Sequence, residues 1–475
     1  MKKYFLLYTI FLFGVLTFIT SCDDLFSLDE TPKSFIAPEI YYNTPAQIET
    51  ILTGTMRRAF QDWSGYAYDP GFHRHDDQNA GGNLVITMNY GSAIWTLHWA
   101  NIKDLNHAIK AMRAGKVTGI SKEVEDQLLG QLTFLRAWNY FQLVRHWGGV
   151  PLMTDETEDY FTQLPARATV AEVYNLIVKD FTEAIQKLPA DWGSRSGRPA
   201  KDAAKGLLAK AYVTMATHPL NDVSCYAKAA ALAKEVMNSG KYRLVEDINN
   251  VFSMDTKYGP EMMWSFNANA NARSTDPRIW SALEGWGDYS AEIAWGDTVF
   301  PEQPRKYVYL ELFNREGVRF NELGEGIGIR KYLYDTWENF DRGVTHINIP
   351  IIRFADVLLI FAEAENMSKG GPTQEACDAI NKVIDRANGH EPNPDYPLLT
   401  TSMSKADFDK AVIQERNFEL CFEYDRWCDI CRKRILPEVT RPYYLVNFKE
   451  SCYLYPIPEV ETRLNPNMEQ NPGYK

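Results

Sequence analysis

Apolar residues at helical spacing recur along most of this sequence, and the connections between these segments are short. Over residues 46–60 an apolar side chain appears every three or four positions, which is the pattern of an amphipathic helix. The same pattern returns over residues 93–115, 121–146, 169–188, 200–217 and 223–239. Helices of similar length with short turns pack as antiparallel neighbours. We therefore predict stacked helical hairpins of the tetratricopeptide type, without the strict consensus of that repeat.

The composition changes over residues 241–348, where Gly, Asn, Asp, Pro and Trp are frequent. Strand-like runs also occur there, such as KYVYLELF (306–313) and GIGIRKYLY (326–334). This mixture is typical of loops and short strands. We predict an irregular, loop-rich insertion that divides a helical scaffold into two parts, at about 45–240 and 349–435.

Helical patterns resume after the insertion. The segment Ile351–Ala362 is apolar apart from Arg353 and Asp356. A helix that is apolar all round is buried on all sides, and opposite charges three residues apart on a helix can pair. Further helices are predicted at about 373–388 and 405–434. The predicted fold class is mostly α, with a few short strands.

The N-terminus has the features of an export signal. Two lysines precede an uncharged run over residues 4–19. This run of about 16 residues is shorter than the roughly 20 that span a bilayer, so a secretory signal is favoured over a membrane anchor. Thr20 and Ser21 come next, and Cys22 after them resembles the lipidated cysteine of a bacterial lipoprotein. The alternative is a plain signal peptide cut elsewhere, with Cys22 incidental.

The predicted domain organisation follows from this signal. Residues 1–21 are a signal peptide, residues 22–44 are a lipidated polar tether, and residues 45–475 are a single domain. The net charge of −12 and the absence of a basic patch argue against nucleic-acid binding. The chain has seven cysteines, six of them besides Cys22, and the sequence leaves the pairing of these six open.

Five stretches, in order along the chain, resemble the SusD/RagB family of outer-membrane lipoproteins. They cover residues 136–152, 203–213, 349–366, 414–433 and 455–474. The family usually has Phe or Tyr at the position of Trp138, and Phe-Asp-Leu-Arg at residues 428–431, where this chain has Cys-Asp-Ile-Cys. These exchanges preserve apolar character.

The resemblance implies a scaffold of four tetratricopeptide-like hairpins and a variable, loop-rich face that holds ligand. It also implies a partner, a SusC-like TonB-dependent transporter on which the lipoprotein sits as a lid. Ligands in the family are most often oligosaccharides, and in some branches peptides. Since the family has no catalytic activity, we expect no catalytic residue, metal or cofactor.

Two motifs in residues 414–433 invite other interpretations. Glu415, Glu419 and Glu423 fall on one helix face, but carboxylates in line do not oppose each other across a cleft, as acid/base catalysis requires. We predict an ion-pair network between packed helices. Cys428 and Cys431, with Cys421 nearby, lack the second ligand pair of a zinc site, so we predict apolar packing. A third motif, His73–Asp77, leaves metal binding open as an alternative to a polar loop.

Aromatic residues make up 13% of the chain, and rings that are exposed on loops can stack against sugars. Five tryptophans are expected in the core: Trp95, Trp99, Trp138, Trp147 and Trp264. Two loop groups are candidates for ligand binding. The first contains Trp63, Tyr66, Tyr68, Asp76 and Asn79. The second contains Trp280, Trp286, Asp288, Tyr289 and Trp295, with Trp286 ranked first; the alternative for each ring is packing within its own loop.

The sequence favours a cell-surface glycan-binding lipoprotein. It would be anchored in the outer membrane through Cys22, face the cell exterior, and deliver oligosaccharide to the transporter. Three alternatives stay open: a peptide-binding lipoprotein, a surface glycosidase, and a structural lid without ligand contacts. No local motif names the sugar.

Overall fold

Helices that each pack against the next make up the first part of the scaffold. They are α1 (Pro45–Trp63), α2 (Ser92–Arg113), α3 (Lys122–Trp147), α4 (Val170–Lys187), α5 (Lys201–Met215) and α6 (Cys225–Met237). This arrangement confirms the predicted helical hairpins, whose bounds are shifted by a few residues.

The computed structural model describes residues 41–63, 91–157, 163–193, 197–272, 274–281, 284–286, 290–313, 317–319, 326–423, 425–439 and 448–474. The chain divides into two units, Met1–Tyr42 and Asn43–Lys475, and every helix and strand named here lies in the second. The predicted signal peptide, Cys22 and most of the predicted tether lie outside the described residues.

Local chemistry determines where α3 and α4 begin and end. Ser121 caps α3 by accepting a hydrogen bond from the N–H of Val124. The helix ends at Gly148, whose φ of +74° is left-handed and favours glycine. At Gly149 the chain passes so close to the next segment that a Cβ would lie 2.2 Å from the carbonyl oxygen of Ala168. Thr169 then opens α4 with a capping box.

The second part of the scaffold is built around α9. Its helices are α9 (Phe354–Lys369), α10 (Gln374–Ala387), α11 (Lys405–Glu419), α12 (Arg426–Lys433), α13 (Leu436–Val439) and α14 (Glu459–Leu464). Helix α9 packs against α6, α10 and α11, and its residues from Phe354 to Asn366 are buried. The predicted buried helix is therefore confirmed, with a later start.

The residues just before α9 form a strand rather than a helix. Strand β4 (Ile349–Arg353) pairs antiparallel with β1 (Met262–Phe266), so its backbone polar groups are satisfied across the sheet. The predicted pair of Arg353 with Asp356 is wrong for this reason. Arg353 extends from the strand to glutamates, and Asp356 binds Lys210 and Arg416 instead.

The insertion contains short elements: α7 (Pro304–Tyr309), β2 (Leu310–Glu311), β3 (Gly328–Ile329) and α8 (Trp337–Asp341). The run 306–313, predicted to be a strand, begins as helix α7, because Pro304 at the first helical position favours a helix start. Only Leu310–Glu311 extends to pair with β3. The prediction of an irregular insertion with short strands is confirmed.

A buried charge cluster, hereafter the Glu419 cluster, joins the insertion to the scaffold. The carboxylate of Glu419 is fully buried and contacts three guanidiniums at 2.6–2.7 Å. These belong to Arg305 of α7, Arg353 of β4 and Arg386 of α10. The remaining members, also buried, are Glu261, Glu415, Glu423 and Lys331.

The predicted ion-pair network is thus confirmed, but its geometry differs from the prediction. The predicted single helix 405–434 is interrupted after Glu419, and Phe422 in the turn has a left-handed φ of 60°. Glu423 lies in this turn, where it pairs with Lys331 and Arg353. The insertion, strand β4 and helix α10 supply the partners, which a helix-face pattern does not specify.

The five tryptophans predicted for the core are largely buried. Trp95, Trp138, Trp147 and Trp264 are at most 2% exposed, and Trp99 is half-buried. The ring of Trp138 lies edge-on to Trp264 at a centroid distance of 5.7 Å. This aromatic packing joins α3 to β1 and therefore to the base of the insertion.

We expect Glu419→Gln to destabilise the protein by about 3–5 kcal/mol, because removing one charge of a buried cluster leaves its partners uncompensated. Equilibrium urea denaturation measures the change. Glu375→Gln is the matched control, since Glu375 pairs with Lys234 on the surface, and its denaturation midpoint should stay that of the parent. Equal midpoints for Glu419→Gln and the parent would contradict the central role of Glu419.

A second prediction concerns pH. Burial lowers the pKa of His98 from 6.5 to about 4; the hydrogen bond with Asn139 opposes this effect, and the charge of Arg145 adds a smaller lowering. Between pH 6.5 and pH 4, His98 is therefore protonated in the unfolded chain but neutral in the folded chain. The stability contributed by neutral His98 is complete above pH 6.5 and is lost as the pH falls towards 4. The slope from one such histidine approaches about 1.4 kcal/mol per pH unit.

Urea denaturation between pH 7 and pH 5 measures this slope, in a range roughly above the ordinary carboxylate pKa values. We expect His98→Gln to reduce the slope. His390→Gln is the control, because His390 is exposed and Asp385 raises its pKa, so this change should not reduce the slope. An unchanged slope in His98→Gln would refute the assignment.

Candidate functional site

An open cleft of about 550 Å³ lies within the insertion. Four aromatic residues line it: Tyr307, Phe313, Tyr334 and Trp337. Three of their side chains are exposed, with Trp337 at 58%, Phe313 at 41% and Tyr307 at 38%. Exposed rings in a concave site offer flat apolar faces for a ligand.

Short elements fixed to the scaffold hold these rings in place. A 3₁₀ turn, Arg330–Tyr332, precedes Tyr334, and the hydroxyl of Tyr332 donates to the carbonyl of Phe422 at 2.7 Å. The ammonium of Lys331 donates to the carbonyls of Glu419 and Cys421 at 2.8 and 2.9 Å. The segment that carries the lining residues Arg330 and Tyr334 is therefore bound to the turn at the C-terminal end of α11.

Polar groups surround the aromatic rings. Glu284, Glu311, Asp335 and Arg330 also line the cleft. The guanidinium of Arg330 donates to the carbonyl of Tyr307 at 3.2 Å and lies 5.3 Å from the ring centroid of Tyr334. Carboxylates and a guanidinium beside ring faces can hydrogen-bond the hydroxyls of a sugar whose C–H face lies on the rings.

Asp335 is a fixed structural carboxylate of the cleft wall. Its Oδ2 accepts hydrogen bonds from the N–H of His346 at 2.5 Å and the hydroxyl of Thr345 at 3.1 Å. Burial raises the pKa of Asp335, but these donors, with others from Asn339 and Thr336, outweigh burial and lower it. Asp335 is thus an ionised acceptor at neutral pH.

The exposed tryptophan Trp286 lies two residues beyond Glu284. Its side chain is 55% exposed, and its backbone N–H donates to the carbonyl of Arg278 at 2.8 Å. The guanidinium of Arg278 lies 4.7 Å from the ring centroid and is itself bound to Asp276. The stacking role predicted for Trp286 stays a prediction, on a ring that the structure leaves open to solvent.

Two other predicted stacking residues do not have the exposure that the prediction needs. Trp280 is 1% and Trp295 is 2% exposed. The ring of Trp280 packs on Tyr332 at 5.1 Å, and the ring of Trp295 packs on Phe300 at 5.1 Å. We correct their assignment to the core of the insertion, because rings buried to this degree leave no face open to a sugar.

The remaining predicted ligand residues fall largely outside the described residues. These are Tyr66, Tyr68, Asp76, Asn79, Asp288 and Tyr289, and the His73–Asp77 motif lies outside as well. Trp63, predicted to lie in a loop, is the last residue of α1.

The sequence prediction missed the four aromatic residues of the cleft. Tyr307, Phe313 and Tyr334 lie in runs that look like half-buried strands, so their rings are taken for core. Trp337 follows Tyr334 and Asp335 closely, the same mixture of aromatic and acidic residues that favours Trp286. That mixture of aromatic and acidic residues was the sequence signal from which Trp337 could have been predicted.

Within the described residues, no group of three or more His, Cys, Asp or Glu side chains could hold a metal ion. Burial raises the pKa of the Cys428 thiol to about 11, so this cysteine is neutral and serves packing. No helix in the described part of the chain is both long and apolar enough to cross a membrane.

Comparison with known proteins supports the sequence resemblance. A family model described as "SusD family" matches residues 237–451, and one described as "Starch-binding associating with outer membrane" matches residues 53–213. SusD-like protein P2 of Formosa agariphila is 26% identical, with 100% of each chain covered. A SusD-like protein of Bacteroides ovatus is 23% identical over 89% of this chain and 82% of its own length.

Solved structures show the same fold. A SusD homolog from Bacteroides thetaiotaomicron aligns with a TM-score of 0.79 at 22% identity, covering 92% of this chain and 98% of its own. Surface glycan-binding protein A from Bacteroides uniformis aligns with a TM-score of 0.74 at 20% identity, covering 90% and 99%. The two family models together cover most of the chain, and the fold agrees. The chain belongs to the SusD/RagB family.

Proposed function

We propose that this protein captures oligosaccharides at the cell surface and delivers them to a SusC-like TonB-dependent transporter. The observation that carries the proposal is the cleft of the insertion, where Tyr307, Phe313 and Trp337 expose their rings beside hydrogen-bonding carboxylates. Rings with polar groups at their edges suit a ligand that has both apolar C–H faces and many hydroxyls.

Sequence features and relatives support the location and the ligand class. One family model carries the description "Starch-binding associating with outer membrane", and one protein of the same fold is a surface glycan-binding protein. Together with the lipoprotein-like Cys22, they favour a lipid-anchored protein of the outer membrane that faces the cell exterior.

The carboxylates of the cleft favour binding over hydrolysis. A glycosidase needs two opposed carboxyl groups, one of which keeps its proton at neutral pH through a raised pKa. The pKa of Asp335 is lowered instead, and four donors hold its oxygens. Glu311 accepts a hydrogen bond from Ser281 at 3.1 Å. A peptide ligand remains the second candidate, which the experiment below distinguishes.

We expect Trp337→Ala to weaken oligosaccharide binding about tenfold, since it removes the most exposed ring of the cleft, and a stacked ring contributes on the order of 1 kcal/mol. Affinity electrophoresis against a panel of soluble polysaccharides, with a peptide pool in parallel, measures retention.

Trp337→Phe should keep most of the affinity because it keeps a ring. Leu464→Ala, an exposed residue of α14, is the surface control. Binding of peptides but of no polysaccharide would refute the glycan proposal.

Trp286→Ala tests whether the ligand extends beyond the cleft. We expect a smaller loss than for Trp337→Ala, because the guanidinium of Arg278 lies against the ring of Trp286 and limits its free surface. Retention of long and short oligosaccharides should be compared, with the loss confined to the long ones. Unchanged retention at every length would remove Trp286 from the binding surface.

A further inference from the structure

A second cleft, of about 410 Å³, lies where the helical scaffold meets the insertion. Its walls are the connection between α4 and α5, the residues that follow α6, and strand β1. Four aromatic residues line it: the buried Trp264, and Trp192, Tyr242 and Tyr258. None of the lining residues of the first cleft takes part, so the two clefts are separate sites.

Contacts fix the rings of Trp192 and Tyr242, whereas the ring of Tyr258 is open to solvent. The indole N–H of Trp192 donates to the carbonyl of Pro199 at 2.8 Å, which fixes its ring. Tyr242 stacks on Phe354 at a centroid distance of 6.4 Å. The side chain of Tyr258 is 47% exposed. The cleft therefore combines fixed aromatic walls with one ring that a ligand can cover.

The charges of the second cleft differ from those of the first. Arg198, Lys241 and Lys257 line it with one carboxylate, Asp191, whereas three carboxylates and one guanidinium line the first. In a chain with a net charge of −12, three cations around one small cleft create a local site that attracts anions.

Partners from outside the cleft already engage two of these cations. Arg198 pairs with Glu49 at 2.9 Å and also donates to Gln131 at 3.1 Å. Lys241 lies 3.5 Å from Asp202 and remains 41% exposed. Both cations therefore contribute only part of their charge to a ligand.

Lys257 is different. Its ammonium donates to the carbonyls of Ala268 and His346 at 2.9 and 3.2 Å, and among the described residues no carboxylate is in ion-pair contact with it. Burial lowers the pKa of Lys257, and the charge of Asp335 in the first cleft offsets this only in part. The ammonium also lies 5.2 Å from the ring centroid of Tyr258. A cation that is not in contact with a carboxylate, beside an exposed ring, can bind an anionic group on a stacked ligand.

A short chain of hydrogen bonds links the two clefts. The carboxylate of Asp335, in the first cleft, accepts from the N–H of His346, and the carbonyl of His346 accepts from Lys257, in the second. Two hydrogen bonds to one residue, His346, thus connect a lining residue of the first cleft with a lining residue of the second. That continuity favours a saccharide as the occupant of the second cleft as well.

We propose that the second cleft binds a saccharide residue with an anionic substituent, a carboxylate or a sulfate, with its ring on Tyr258 and its charge at Lys257 and Lys241. The saccharide class rests on the proposed function, whereas the preference for an anion comes from the second cleft itself. A polymer of mixed neutral and acidic units would use both clefts.

Calorimetric titration with three oligosaccharides of equal length tests the proposal: one neutral, one built of uronates and one sulfated. We expect Lys257→Gln to weaken binding of at least one acidic oligosaccharide about tenfold, as befits a lost charge-assisted hydrogen bond, and to leave neutral binding unchanged. Tyr258→Ala, at an exposed position, should do the same without disturbing the fold. The uronate and sulfated arms identify the anionic group.

Lys228→Gln is the matched control, because Lys228 lies 5.5 Å from the ring centroid of Tyr212, outside both clefts. Its affinities should equal those of the parent. The proposal is overturned if the parent protein binds neither acidic oligosaccharide, if Lys257→Gln and Tyr258→Ala bind both as the parent does, or if Lys228→Gln loses as much. Loss of neutral binding in Trp337→Ala, with acidic binding retained, would instead support both clefts as separate sites.

Discussion

The contact of one buried carboxylate, that of Glu419, with three guanidiniums is the interaction on which the rest of the structure depends. The three arginines come from the insertion, from the strand before α9 and from α10. Burial alone would raise the pKa of Glu419, but these guanidiniums outweigh it and hold the pKa well below its ordinary value. The carboxylate therefore stays charged in the interior, and three segments distant in sequence must meet at one point.

The same cluster anchors the segments whose rings line the first cleft. Arg305 precedes Tyr307 by two residues, and Lys331 precedes Tyr334 by three, so anchored cations alternate with rings that face the cleft. Rings held this way lose little freedom on binding, which reduces the entropic cost of capture. An irregular segment with few regular hydrogen bonds can thus still present a preformed surface.

Much of the scaffold could be predicted from the sequence, because helical periodicity and turn residues act locally. Gly148 and Thr169 mark helix boundaries through their own backbone and side chain. The site was harder to predict, because exposure depends on tertiary packing. Trp280 and Trp286 occur in the same Gly- and Asp-rich run, yet one is buried against Tyr332 and the other is open. Similarly, Arg353 looks like a helix residue until β1 pairs with its backbone.

The left-handed backbone of Phe422 limits how the insertion can be exchanged. A residue other than glycine is strained there, and the hydroxyl of Tyr332 and the ammonium of Lys331 hold that turn by its carbonyls. The scaffold thus obtains part of its own order from the insertion. In a chimera, new ligand loops can replace the rim residues freely, but Lys331 and Tyr332 must be carried along, because they belong functionally to the scaffold.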